Sequence, residues 1–193
     1  MRSTVVERKT KETDITLSLD LDHPAEPTVS LGLPFFEHLL SAMAFHGRFG
    51  LIINGSGDLR VDPHHLVEDT GLVLGEAVRR IIADGGIRRF GNAVIPMDEA
   101  ISEAAIDASG RPFLVYQADY PQNHAGSFAL SLLREFFLGF VNRGALTLHA
   151  VCRYGSNSHH MAESLFKALG IALGISLSKD NRGTAPSTKG SII

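Results

Sequence analysis

The 193-residue chain has one cysteine, no tryptophan and three tyrosines. A lone Cys152 excludes an intramolecular disulfide, and its place in an apolar stretch with no histidine patterned beside it makes it packing rather than a nucleophile. With so few Trp and Tyr, a stacking platform for nucleobases is not expected. Charge of neither sign dominates: the net charge is -3 and the pI near 6.3, so no basic field points to nucleic acid. A small anionic substrate would have to be met by local cations. No apolar run approaches the roughly 18 residues that span a bilayer, and Met1 to Thr4 leads into charged residues rather than a signal-peptide core. The expectation is a cytoplasmic protein with no membrane partner. Length and a 44% hydrophobic content suit a single compact domain, or two small halves sharing a core.

Histidine is what the chain has in excess, with nine. Four of them fall in two near-identical segments, His64-His65-Leu66-Val67-Glu68 and His159-His160-Met161-Ala162-Glu163. Residues four apart share a helix face, while neighbours are turned by about 100°. His64 and Glu68 therefore converge on one point and His65 aims elsewhere; His159, Glu163 and His160 repeat the arrangement. Imidazole with carboxylate and no thiolate suits a first-row divalent ion such as Mn, Fe, Ni or Zn, and leaves coordination positions open for substrate. The plain alternative is a polar helix start whose Glu lies near the positive end of the dipole. Two copies within matched surroundings favour the metal reading.

The surroundings do match. Ile15, Leu17, Leu19 and Leu21 alternate with polar residues as a half-buried strand, and Thr28 to Leu31 starts another. Pro34 opens an apolar helix that carries His38 and closes at Gly47. Leu51 to Asn54 and Asp58 to Val61 read as a hairpin-like pair of strands before Asp62-Pro63 and the first HHxxE helix, which stops at Gly85-Gly86. Further along come a turn at Ser109 to Pro112, a strand from Phe113 to Ala118, an apolar helix from Leu130 to Val141 carrying Glu135, and a strand from Ala145 to Arg153. A loop with a good N-cap donor then precedes His159. His38 lies 26 residues before His64, and Glu135 lies 24 before His159. The order repeats, which predicts an α+β fold built from a duplicated strand-helix unit, with sheets packed on helices and halves of about 1–92 and 93–193. His46 reads as a helix-terminus residue, His23 and His124 as loop residues, and His149 could face either core or site.

Basic groups sit beside Gly or Ser at Arg88-Arg89-Phe90-Gly91, Ser109-Gly110-Arg111-Pro112 and Pro186-Ser187-Thr188-Lys189-Gly190, the chemistry a phosphate oxygen wants. Taken one at a time, each is more readily an ordinary solvated surface charge.

With those residues assembled, the chain resembles the imidazoleglycerol-phosphate dehydratase family over essentially its whole length. The resemblance is carried by Glu7 to Thr13, Phe35 to Leu40, Gly57 to Asp69, Pro96 to Ala100, Asp107 to Pro112, Thr147 to His149, His159 to Glu163 with Phe166 to Ala168, and Pro186 to Gly190. It implies half-domains like the second domain of ribosomal protein S5, and a lyase of histidine biosynthesis that removes water from imidazole glycerol phosphate to give imidazole acetol phosphate, with two Mn2+ ions per active site. The proton to be lost lies on a carbon with no adjacent carbonyl, so coordination of the ring nitrogens would stabilise an imidazolate able to expel the neighbouring hydroxyl.

The resemblance further implies that His64, Glu68 and Glu135 hold one ion together with a His of the second motif, and that His38, His65 and Glu163 hold the other with the remaining one of His159 and His160. Arg89, Arg111, Ser187 and Lys189 would hold the substrate phosphate, and Glu12 would contact the glycerol hydroxyls or move a proton. Because His64 and His65 diverge, each site would draw on more than one subunit of a homo-oligomer, the family's being a 24-subunit cage. Many relatives carry His where this chain has Glu135, and Leu66, Glu37 and Pro34 also depart from the usual Thr, Asp and Gly. On residue chemistry alone two other functions compete: a two-metal hydrolase acting on another phosphorylated small molecule, and a noncatalytic metal-binding protein, against which the basic set argues.

Overall fold

The computed structural model describes residues 2–83 and 85–180. The first half forms a four-stranded sheet of β1 (Ser3–Lys9), β2 (Thr13–Asp20), β3 (Thr28–Ser30) and β4 (Gly50–Gly57), ordered β1-β2-β4-β3, with α1 (Pro34–Gly47) and α2 (His64–Ala83). The second half has β5 (Phe90–Met97), β6 (Ala100–Asp107), β7 (Phe113–Gln117) and β10 (Thr147–Tyr154), ordered β5-β6-β10-β7, with α3 (Leu132–Gly144) and α4 (Ser158–Ser176). A short ribbon of β8 (His124–Ala125) and β9 (Phe128–Ala129) precedes α3. In both sheets the fourth strand is antiparallel to the second and parallel to the third, so the duplicated α+β unit is present.

Each sheet buries one face. In β2, Ile15, Leu17 and Leu19 point inward at period two while Asp14 and Thr16 stay outside, and in β6 Ala100, Ser102, Ala104 and Ile106 do the same. The helices lie between the sheets and pack across the halves, α1 on α4 and α2 on α3. Within each pair the helices run in the same direction, since Gly170 abuts Met43 and Gly174 abuts Gly47, while Gly71 abuts Phe136 and Gly75 abuts Phe140. Phe36, Phe136, Phe140 and Phe166 are fully buried; Phe136 stacks with Phe140 and Phe166 and meets Phe36 edge-on, joining the two pairs.

Three sequence expectations change. Asp58 to Val61 is a turn, closed by a Val61 N–H bond to the Asp58 carbonyl at 2.7 Å, so the hairpin-like pair is the single strand β4. His124 lies in the two-residue strand β8 rather than a loop. His149 faces neither core nor site: it projects from the exposed face of β10 between buried Leu148 and Ala150. Cys152 is buried beside Ser102 Oγ, and burial pushes its thiol pKa up, as inert packing requires. Among the described residues no helix is long and apolar enough to cross a membrane.

Candidate active site

Each HHxxE motif opens its helix, and the local reasons are visible. The Asn157 side chain accepts the His159 N–H at 2.9 Å to cap α4, and Asp62 accepts the His64 N–H at 2.7 Å ahead of α2. Asp69, one residue beyond the first motif, is buried; it accepts from Thr13 Oγ1 at 2.5 Å and pairs with Arg8 at 2.8 Å, tying the start of α2 to β1 and β2. At α1, Glu37 accepts backbone N–H bonds from Leu31, Gly32 and Leu33 at 2.6, 2.7 and 3.3 Å, which sets the entry turn and the position of the next residue, His38.

Helix pairing then brings His38 of the first half to the HHxxE motif of the second. His38, His159 and Glu163 each offer a ligand atom, and these atoms lie within 4.8 Å of one another. Nε2 of His38 and Nε2 of His159 each stand 3.0 Å from Glu163 Oε2, while Lys167 Nζ holds Glu163 Oε1 at 2.7 Å. Burial pushes the Glu163 carboxyl up, but the hydrogen bonds from Lys167 and His38 outweigh it and hold the pKa at about 2, so the group is an anion. Phe35 sets its ring edge-on to His159 at 5.0 Å, and Pro34, Ala125, Gly126 and Ser127 complete a cavity of about 530 Å3 over the cluster. Two imidazoles and a carboxylate aimed at one point are a donor set that fits a divalent first-row ion.

The counterpart on α2 is more open: His64 Nε2 lies 3.7 Å from Glu68 Oε2. Gly139 of α3 rests against the Glu68 carbonyl, which puts Glu135, one turn earlier on the same face, level with the start of α2. Glu135 is half-buried and paired with Arg134 at 3.6 Å. The second histidine of each motif turns away from these clusters, as the helix geometry predicts. His65 Nδ1 lies 3.1 Å from Asp58 Oδ2 and 3.9 Å from Glu12 Oε2, and His160 Nδ1 lies 2.8 Å from Glu99 Oε2.

The imidazoleglycerol-phosphate dehydratase family model matches residues 31–173. The chain belongs to the imidazoleglycerol-phosphate dehydratase family. It is 48% identical over 191 residues to the imidazoleglycerol-phosphate dehydratase of an Exiguobacterium strain, covering 98% of each chain, and 49% identical to that of Laribacter hongkongensis, covering 100% of this chain and 99% of the relative. Among solved structures, the dehydratase of Staphylococcus aureus superposes with a TM-score of 0.83 at 33% identity, over 92% of this chain and 99% of the other. That of Pyrococcus furiosus, in complex with (S)-C348, also gives 0.83, at 35% identity over 96% and 99%.

Arg89 and Arg111, also expected of a dehydratase of this family, lie elsewhere in the chain. Arg89 pairs with Asp107 at 2.7 Å and covers the Phe90 ring at 4.7 Å, and Arg111 approaches the same Asp107 at 3.7 Å, so the two arginines flank one carboxylate. The Arg89 N–H bonds to the Ser176 carbonyl at the far end of α4. His159 and Ser176 are separated by nearly the whole helix, about 25 Å at 1.5 Å per residue. A single chain therefore does not bring its arginine pair to its own His38–His159–Glu163 cluster. Ser187 and Lys189 lie outside the described residues. Sequence reasoning missed Glu99 and Asp58 as neighbours of the outward histidines. Glu99 stands immediately before β6 as Glu12 stands immediately before β2, so the internal repeat carried the signal.

Proposed function

We propose that the chain dehydrates imidazole glycerol phosphate to imidazole acetol phosphate, a step of histidine biosynthesis in the cytoplasm, at sites that hold two Mn2+ ions and are completed between copies of the chain in a 24-subunit cage. The observation that carries this reading is the convergence of His38, His159 and Glu163 from two helices under a cavity large enough for a small phosphorylated ring. Bound Mn2+ supplies Lewis acidity to the imidazole ring nitrogens, which the reaction needs because the departing proton has no carbonyl beside it.

The chain's own residues do the rest. His38, His159 and Glu163 hold one ion, and His65 of a neighbouring copy completes that set. His64, Glu68 and Glu135 hold the other, completed by a neighbour's His160. Glu12 is exposed, in the turn before β2 and beside a cavity lined by Lys9, Thr10, Asp14 and Asp58. There it contacts the glycerol hydroxyls or moves the proton. Arg89 and Arg111, with Ser187 and Lys189, hold the phosphate. Assembly is supported by the separation of the arginine pair from the His38 cluster and by the exposed apolar side chains Val61, Phe113 and Tyr154.

The test is conversion of imidazole glycerol phosphate by chelator-stripped protein with and without added Mn2+. Metal-restored imidazole acetol phosphate is the expected result. No product from folded, assembled and metal-loaded protein would overturn the reading, and phosphate release from generic phosphate esters would point to a two-metal hydrolase.

A further inference from the structure

The two outward histidines are held in the same way by carboxylates that no role in the site has so far claimed. Glu99 divides its two oxygens. Oε1 accepts the backbone N–H groups of Ser156 and Asn157 at 3.1 and 2.8 Å and faces Ser156 Oγ at 3.4 Å, and Oε2 takes His160 Nδ1 at 2.8 Å. A carboxylate held by backbone donors can only accept, so His160 Nδ1 carries the hydrogen, and in the neutral ring Nε2 keeps its lone pair. The groups facing Nε2 are Asn157 Nδ2 at 3.5 Å and Asp98 Oδ2 at 3.8 Å.

In the first half these tasks are divided between two residues. Asp58 takes His65 Nδ1, with its two oxygens at 3.1 and 3.2 Å, and Glu12, the counterpart of Glu99 in the repeat, stands off at 3.9 Å. Both histidines thus have Nδ1 engaged by a carboxylate, which sets rotamer and tautomer and makes Nε2 the ligating atom, the condition an imidazole must meet to ligate an ion held by another copy.

We infer that Glu99 is a positioning residue that fixes the ring and tautomer of His160 so that Nε2 completes a metal site of a neighbouring copy, with Asp58 doing the same for His65. The inference deepens the proposed function and rests on reading His160 as a metal ligand. It also explains why duplicated glutamates diverge: Glu12 is released for substrate because Asp58 has taken over its histidine.

Glu99→Gln is the discriminating variant. Its Oε1 must stay on the Ser156 and Asn157 N–H groups, so its amide NH2 faces Nδ1 and drives the ring hydrogen to Nε2, the atom meant to ligate. The experiment is magic-angle-spinning NMR of 15N-histidine protein without metal, at a pH where the ring is neutral, with the His160 signal assigned by its loss in His160→Gln. Mn2+ titrations of the assembled protein accompany it. Expected are an Nδ1–H tautomer in the wild type, its inversion in Glu99→Gln, and a loss of about 10–100-fold in affinity for one of the two ions. Glu99→Asp, which keeps an acceptor, should hold the wild-type tautomer and recover part of the affinity. An unchanged tautomer, or unchanged affinity for both ions with only a lower melting temperature, would reduce Glu99 to a staple of the Ser156 loop. A wild type that inverts its tautomer on substitution yet binds no Mn2+ would overturn the metal-orienting role by removing the metal reading itself, with Glu99 still shown to set the ring.

Discussion

Burial by itself raises the pKa of the Glu163 carboxyl. Lys167 and His38 reverse that shift and hold it at about 2, so the cluster around this anion suits a cation. Sequence spacing alone was enough to pair His159 with Glu163 and His64 with Glu68, because four residues make slightly more than one helical turn. Spacing set the third member, His38, 26 residues before the first motif; its place with Glu163 came from the family resemblance, because it arrives from another helix. Away from the site, Asp22 shows charge acting on the fold. The Arg2 backbone N–H and then its side chain hold the Asp22 pKa at about 2, and the Arg2 guanidinium also reaches the Leu177 carbonyl beyond α4. A depressed carboxylate pKa contributes stability that is fully present above the ordinary value of 3.8, fades as pH falls below it, and is gone once pH falls through about 2. Asp22→Asn should therefore be less stable than wild type at neutral pH, with the difference closing across that acid window. Denaturant unfolding of both proteins at several pH values checks this, and a gap that persists unchanged at the acid end would remove the ion pair as its cause.

At the scale of elements, the site depends on how closely helices approach. Gly170 lets α4 lie directly on α1, and an added Cβ there would fall inside van der Waals contact with the Met43 carbonyl. Gly170→Ala should push the helices apart, cost about 1–3 kcal/mol as overpacking does, and, on the proposed two-metal site, weaken Mn2+ binding by moving His38 away from His159 and Glu163. Melting temperature and bound Mn2+ measured on the same preparation test it; intact metal binding in a destabilised protein would separate packing from site geometry. Helices with clear apolar faces and proline or glycine punctuation were legible in the sequence. β1 and β5 were not: β1 buries only Val6, and the inward positions of β5 begin with Gly91 and Ala93, too small to write a hydrophobic alternation. Pro96 is tolerated in β5 because that strand lies at the sheet edge. Conversely, Leu59 and Val61 look strand-like, yet both are exposed in the turn before α2, where no neighbouring strand pairs with them.

At the scale of the whole molecule, the halves exchange partners, α1 serving the motif of α4 and α3 that of α2. The same logic extends beyond one chain if His65 and His160 serve neighbours. Co-assembled His65→Ala and His159→Ala subunits should then regain activity that neither variant has alone, because the His159 cluster of the first can meet the intact His65 of the second. Turnover of mixed and unmixed assemblies decides this, and a mixture no more active than its parts would argue for sites built within one subunit.

Sequence by itself determined the duplicated α+β unit, the two helix starts with their His–Glu faces, and the family, because each is written in local spacing or in ordered motifs. Tertiary structure alone decided that His159 rather than His160 stands with His38 and Glu163, that Arg89 and Arg111 share Asp107 about 25 Å along α4 from His159, and that Glu99 and Asp58 grip the outward histidines. The His38 cluster and the Glu99–His160 contact join residues more than 60 positions apart. The first is set by backbone approach at glycines and by burial of the shared aromatic core, neither of which leaves a period in the sequence.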